Sequence, residues 1–303
     1  MKVAVATKNT INWLVLMLFI IGFVIVFGGV AAGYAMHGGN FGVLWQPSEI
    51  VIIFGAAIGA FIISNPPSAI KGVLSGLKNP LKGDPFNKAD YKDLLLFLFN
   101  ICKLMKTKGM LEVEPALDDP HSSELFTNYP KFMHNHHGVE FFCDYMRLVT
   151  MGMDNHYQLE DLMDKELEAH HHHGQSAAMS MNNFADGLPA LGIVAAVLGV
   201  IMTMGSIAEP PEILGGLIGA ALVGTFMGIL MGYGFFGPIA ANMGKYADAD
   251  AEYYAVLKTA ILAHVQGNAP VVTVEFARKI IPHHLRPSFQ ELDALVNGPA
   301  PAE

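Results

Sequence analysis

Four stretches of this chain are long and apolar enough to cross a lipid bilayer, and they restrict its fold more than any other feature. A helix needs about 20 mostly apolar residues to span the hydrocarbon core, and 11–34, 47–64, 184–206 and 213–243 each supply such a run. In lipid the backbone must satisfy its own hydrogen bonds, so isolated runs of this length become helices. The short links MHGGNFG and IAEPPE join the first span to the second and the third to the fourth. The spans therefore pair as two hairpins, with Pro210 and Pro211 stopping one helix and starting the next. A composition 52% hydrophobic and only 15% charged agrees with this reading. Leu94–Met105 is also apolar, but it is a dozen residues long, carries Asn100 and Lys103 and is flanked by charge, so it reads as a buried or amphipathic helix outside the bilayer.

The expected class is all-α integral membrane, in four parts. Residues 1–64 hold the N-terminal segment and first hairpin, 65–183 a helical domain, 184–243 the second hairpin and 244–303 a helical tail. Lys2 and Lys8 ahead of the first run imitate a secretory signal; the run is longer than a signal core and a second span follows closely, so the segment is expected to stay. Of the 18 Lys and Arg residues, two precede the first span, eleven lie between Pro66 and Asn183 and five follow Met243, while both links carry none. By the positive-inside rule both termini and the middle domain face the cytoplasm and both links face outward.

The middle domain has its own helical period. In YQLEDLMDKELEAH, Leu159, Leu162, Met163 and Leu167 are expected on one face, with Glu160, Asp161, Asp164, Lys165 and Glu168 elsewhere. In the tail Tyr253, Leu257, Ile261 and His264 recur at helical spacing, before a break at Gly267 and Pro270. A net charge of -9 argues against nucleic acid, whose binding needs clustered Lys and Arg. Cys102 and Cys143 lack metal-ligand or C-x-x-C spacing and read as free thiols. The tract His170–His173 invites a metal reading, but four adjacent residues do not share a helix face, so a solvated linker is expected. Neither a nucleophile elbow, a phosphate loop nor a paired-acid motif suggests an enzyme, and no cofactor is expected.

The second hairpin is nearly free of charge. Between Asp186 and Glu209 there is no ionisable side chain, and between Glu212 and Lys245 only Tyr233. Ion pathways through membranes ordinarily retain an acid; if this chain conducts, the carboxylate is expected to come from another polypeptide. Gly216, Ala220, Gly224, Gly228 and Gly232 instead form a small-residue stripe for close helix packing, either between subunits or within the chain's own hairpin. Thr203, Ser206 and Thr225 are hydroxyls in apolar surroundings, where back-bonding to the helix is the ordinary explanation. Thr225 stands beside the stripe, which leaves a pore-lining role open to it.

The stretches ADGLPALGIVAAVLGVIMTMGSI and LVGTFMGILMGYGFFGPIA resemble the third and fourth membrane helices of the MotA and PomA family, the A subunits of flagellar stators. AGYAMHGGNFGVLWQPSE resembles the family's first outer link, and VEFARKIIPHHLRPSFQEL its tail. The resemblance implies five A subunits around a dimer of MotB-type B subunits, which supply the ion-binding Asp and the cell-wall anchor. It implies that Pro189 and Pro238 couple ion passage to movement, and that Thr225 faces the partner's ion-binding Asp; Thr203, a hydroxyl in the apolar third span, is the second candidate for the ion path. It further implies that Lys106, Glu114 and Glu166 engage the rotor protein FliG, with Lys103 and Lys108 close enough to share the role of Lys106. The long cytoplasmic domain resembles the proton-driven branch more than the sodium-driven one, so H+ is the expected ion. The competing resemblance is to ExbB- or TolQ-like energisers of outer-membrane transport, which have three spans and a different loop order. An autonomous transporter would ordinarily show a central charge or broken midplane helices, which the second hairpin lacks.

Overall fold

The computed structural model describes residues 3–298, apart from the side chains of residues 3–15 and of Lys82. Lys2 and the side chain of Lys8 thus lie outside the described residues. In chain order the helices are α1 (Val3–Met36), α2 (Phe41–Leu44), α3 (Pro47–Ser64), α4 (Pro67–Gly76), α5 (Asn79–Lys82), α6 (Lys88–Lys108), α7 (Glu114–Asp118), α8 (Glu124–Thr127), α9 (Pro130–Met133) and α10 (His136–Thr150). They continue as α11 (His156–Gly205), α12 (Pro211–Met231), α13 (Gly237–Val265), α14 (Pro270–Ile280) and α15 (Phe289–Asn297), with a π-helical turn, Gly232–Phe236, between α12 and α13. No strand occurs among the described residues.

Contacts divide the chain into two units. The first is Met1–Gly83 with His172–Ala247; the second is Asp84–His171 with Asp248–Glu303. Four helical stretches are long and apolar enough to cross a membrane, as the four runs predict. The third and fourth do not begin and end with their apolar residues, because α11 is one helix of 50 residues and α12, the π turn and α13 follow without a break. No proline interrupts the chain between Tyr157 and Asp186, and Gly174 and Pro189 are accommodated within the helix.

In the first unit Ile53 and Ala57 of α3 bury against Leu188 and Ala195 of α11. Edge-on ring contacts join the spans towards their other ends, Phe61 with Phe184 at 5.9 Å and Phe184 with Phe236 at 5.1 Å between centroids. Large apolar side chains such as Ile25, Val51, Ile63 and Met202 stay exposed, as expected of faces that meet lipid or other chains.

The second unit has a conventional core organised on α6, whose start is fixed by a reciprocal cap. Asn87 Oδ1 accepts from the Ala89 amide at 2.8 Å, and Asp90 Oδ2 from the Asn87 amide at 2.8 Å. The Leu94–Met105 run is buried here as predicted, with Phe97 enclosed by Phe126, Tyr129, Phe132 and Phe142. Cys102 and Cys143 are free and buried, and burial pushes both thiols up to about 12. Tyr253, Leu257 and Ile261 are buried, and Gly267 (φ 82°) ends the helix before Pro270 opens α14.

Two expectations are corrected. Leu162 is 42% exposed, because the buried face runs through Leu159 and Met163 to the half-buried Leu167, its middle about 100° round the helix from Leu162. The histidine tract is no linker but part of α11: His170 Nε2 meets Asp250 at 2.7 Å and His171 Nε2 meets Asp248 at 3.0 Å. Among the described residues no cluster of three potential metal ligands forms.

The tail helix α15 carries a pH-sensitive clasp. Glu291 bonds Lys88 at 2.7 Å, the Ser288 amide at 2.7 Å and Lys92 at 2.9 Å; Lys88 first, then the amide and Lys92, hold its carboxyl at about 2. A depressed carboxyl favours the folded clasp above its ordinary value of 4.5 and loses that contribution as pH falls towards 2. Amide exchange in α15, corrected for intrinsic rates, is expected to accelerate relative to α6 as pH falls through that window. In Glu291→Gln the difference between the helices should be independent of pH.

Candidate ion-pathway hairpin

The small-residue stripe meets α11 over most of its length. A Cβ placed on Gly228 would stand 2.5 Å from the Leu188 carbonyl oxygen and 3.0 Å from Gly192 Cα, closer than real side chains approach. One placed on Gly224 would stand 3.1 Å from Ala195 Cβ, and one on Gly232 would stand 2.7 Å from the Ala185 oxygen. Gly192 and Gly199 complete the seam from the α11 side; a Cβ on Gly199 would lie 2.6 Å from Ala221 Cβ. Gly224, Gly228 and Gly232 are therefore spent within the chain's own hairpin, whereas Gly216 has nothing within 4 Å and Ala220 is half-buried. The structure selects the intrachain use of the stripe at its three inner positions.

Pro189 packs against the Gly232 end of this seam, and Pro238 follows that end in the chain. Pro189 has no N–H to give the Ala185 carbonyl, and Gly232 packs against that oxygen and against Pro189 Cδ. Pro238 likewise leaves the Gly234 carbonyl without its helix donor, and the backbone just before it widens into the π turn, where the Gly237 N–H donates to the Gly232 oxygen five residues back.

The two threonines differ. Thr203 is buried and its hydroxyl donates to the Gly199 oxygen at 2.8 Å. Among the described residues Thr225, half-buried beside Gly224, forms no such back-bond.

The absence of an intramembrane acid holds for the second hairpin alone. Glu49, in the first turn of α3, is only 6% exposed and lies against the α11–α12 seam. A Cβ on Gly224 would come 2.5 Å from its Oε2, and one on Gly199 would come 3.7 Å from its Oε1. Sequence reasoning missed Glu49 because an acid in a first helical turn ordinarily complements the helix dipole. Gly192 and Gly199 were legible in principle: seven residues apart, they share a helix face.

The proposed rotor-contacting residues lie in the second unit. Lys106 is exposed at the end of α6, and its Nζ donates to the Gly267 and Asn268 carbonyls at 2.9 and 3.2 Å. Glu114 is exposed at the start of α7, and Lys108 pairs with Glu112 at 3.3 Å. Lys103 lies over the Phe99 ring. Glu166 accepts from the Tyr145 hydroxyl at 2.6 Å, and burial, with Glu166 alongside, pushes that phenol up.

Four apolar helical stretches with a glycine seam between the last two define a multi-pass α-helical membrane protein. Residues 20–109 match the family model for the Motility protein A N-terminal region, and residues 135–254 match that of the MotA/TolQ/ExbB proton channel family. Motility protein A of Escherichia coli K12 is 40% identical over 282 residues, 93% of this chain and 96% of that one. In fold the chain is similar to C. jejuni MotAB (TM-score 0.73, 20% identity, 89% of this chain and 98% of that one). It is also similar to the flagellar MotAB stator complex from Bacillus subtilis (TM-score 0.68, 24% identity, 87% and 95%). The chain belongs to the Motility protein A family.

The seam yields a direct test. Gly228→Leu should abolish stable hairpin formation, read as loss of protease-resistant protein in the membrane, because the side chain would meet backbone on α11. Gly216→Leu should leave the protein at its normal level.

Proposed function

We propose that this chain is the A subunit of an ion-driven flagellar stator in the bacterial inner membrane, conducting only with a MotB-type partner whose Asp binds the ion. The observation that carries the reading is 40% identity to Motility protein A across nearly the whole of both chains. The second hairpin supports it, being glycine-packed and free of acids along the stretch that would face the partner. The ExbB or TolQ alternative fits less well, since four membrane-length helical stretches are present. Both termini and the second unit face the cytoplasm, following the distribution of Lys and Arg.

In this mechanism five copies surround a B dimer and H+ is the coupling ion. Its passage releases about 2.3 kcal/mol per charge per 100 mV. Protonation of the partner Asp removes its charge and changes its fit against Thr225, with Thr203 behind it. Pro189 and Pro238 are the hinges through which the fit is converted into movement, and Lys106, Glu114 and Glu166 contact FliG.

The test is ion flux, followed with intracellular pH and sodium reporters. This chain alone should conduct neither ion, because one enclosed carboxyl without an acceptor moves no net charge. Chain and partner together should conduct H+, and an Asp-to-Asn partner should not. Thr225→Ala should reduce flux several-fold with assembly intact, one hydroxyl beside an ion site being worth on the order of 1 kcal/mol. Sodium-dependent flux would reverse the assignment of the ion.

Torque has a separate test. Lys106→Glu should slow swimming without loss of membrane protein, and a charge reversal on the rotor partner should restore part of the speed. Normal swimming in a triple reversal of Lys103, Lys106 and Lys108 would remove electrostatic contact from the mechanism.

A further inference from the structure

Glu49 is an acid without a visible reason to be where it is. It occupies the first turn of α3, where its carboxyl could have capped its own helix, yet Gln46 provides no side-chain cap and Glu49 Oε2 has no hydrogen-bond partner among the described residues. Its side chain enters the hollow made by two glycines, Gly199 of α11 and Gly224 of α12, between the methyl groups of Ala195 and Ala221. That hollow lies about 15–20 Å along α12 from Pro211, well inside the length of a span. Neither wall offers a countercharge: α11 has no ionisable side chain between Asp186 and Glu209, and α12 none after Glu212. A side chain so enclosed is kept ionised only at high cost, and its uncharged form is protonated.

We propose that Glu49 is a proton-binding site of this chain, taking up H+ from the outer side and passing it towards the acid that the partner supplies. The proposal rests on the stator reading above and adds a second titrating station to it. In the transfer Glu49 carboxylic acid and partner carboxylate become Glu49 carboxylate and partner carboxylic acid. A proton from outer water then restores Glu49. Gly224, whose missing side chain makes room for the carboxyl, is followed in the chain by Thr225, the residue assigned to the pathway. The walls favour H+ over a metal cation. A bare cation needs several oxygen ligands, while here they are methyl groups, glycine Cα atoms and helical backbone.

The experiment compares wild type, Glu49→Gln and Glu49→Asp, each co-expressed with the partner, by proton flux across a range of external pH. Glu49→Gln keeps the shape and loses the titration; it should cut flux at least tenfold while leaving membrane level and complex mass unchanged. Glu49→Asp keeps a carboxyl one methylene shorter and should retain flux with a displaced external-pH profile. In the purified complex, pH-difference infrared spectra should contain a carboxylic-acid band that disappears in Glu49→Gln. Wild-type flux in Glu49→Gln overturns the proposal. Should that variant fail to assemble, an unchanged pH profile in Glu49→Asp overturns it instead. A wild-type pair that does not conduct, or that conducts equally with an Asp-to-Asn partner, removes the stator reading itself. Flux that is lost with Asp-to-Asn but kept with Glu49→Gln removes only the second station.

Discussion

The close backbone contact between α11 and α12 is the constraint on which the rest of the membrane unit depends. In water two helices would be held together by burying apolar side chains, but lipid is as apolar as leucine and gives no such drive. What remains is shape. Glycine at 192, 199, 224, 228 and 232 lets backbone meet backbone, and in most of these contacts a single Cβ would have to displace a main-chain atom or a neighbouring methyl. The seam leaves no lateral play, so the groups along it, Thr225 and the Glu49 carboxyl, are held at defined positions without any charge in the second hairpin to hold them.

The seam also explains why two prolines are tolerated in long helices. Each proline frees a carbonyl upstream, which in lipid would be costly if left facing acyl chains. At Pro189 the freed Ala185 oxygen is covered by Gly232, whose lack of a side chain leaves room for it. At Pro238 the backbone shifts to π-helical bonding just beforehand. The two irregularities face one another across the hairpin, Gly232 belonging to both, since it packs on Pro189 and accepts the π-type bond from Gly237.

How much of this was legible depended on whether a feature is local. The spans could be read because membrane crossing needs a fixed length of apolar chain, and α6 because a dozen buried residues with a polar flank are too short for it. The period-four stripe was visible on α12, but not which helix it met; that needed Gly192 and Gly199, whose small size is ordinary in a membrane helix. The histidine tract misled because its partners, Asp248 and Asp250, lie 77 and 80 residues further along the chain. Glu49 was hidden by its surroundings: following Pro47, it has the position of a routine N-terminal acid, and only the placement of the start of α3 beside the middle of α12 encloses it.

The energies decide which part of the membrane unit is able to move under the proposed function. One ion crossing at 100 mV releases about 2.3 kcal/mol. Opening the seam would forfeit many close contacts at once and present glycine backbone to lipid, a cost that such a quantity does not cover. A single hydrogen bond contributes a net ~0.5–1.5 kcal/mol, so exchanging one helical bond for another stays within what one ion delivers. The π turn already holds the backbone in a register between two α-helical ones, and Pro189 and Pro238 have already removed the donors that would resist a shift. Under the proposed function, movement driven by single ions is therefore expected at the paired irregularity at Ala185–Pro189 and Gly232–Pro238, with the glycine seam beyond it keeping its contacts.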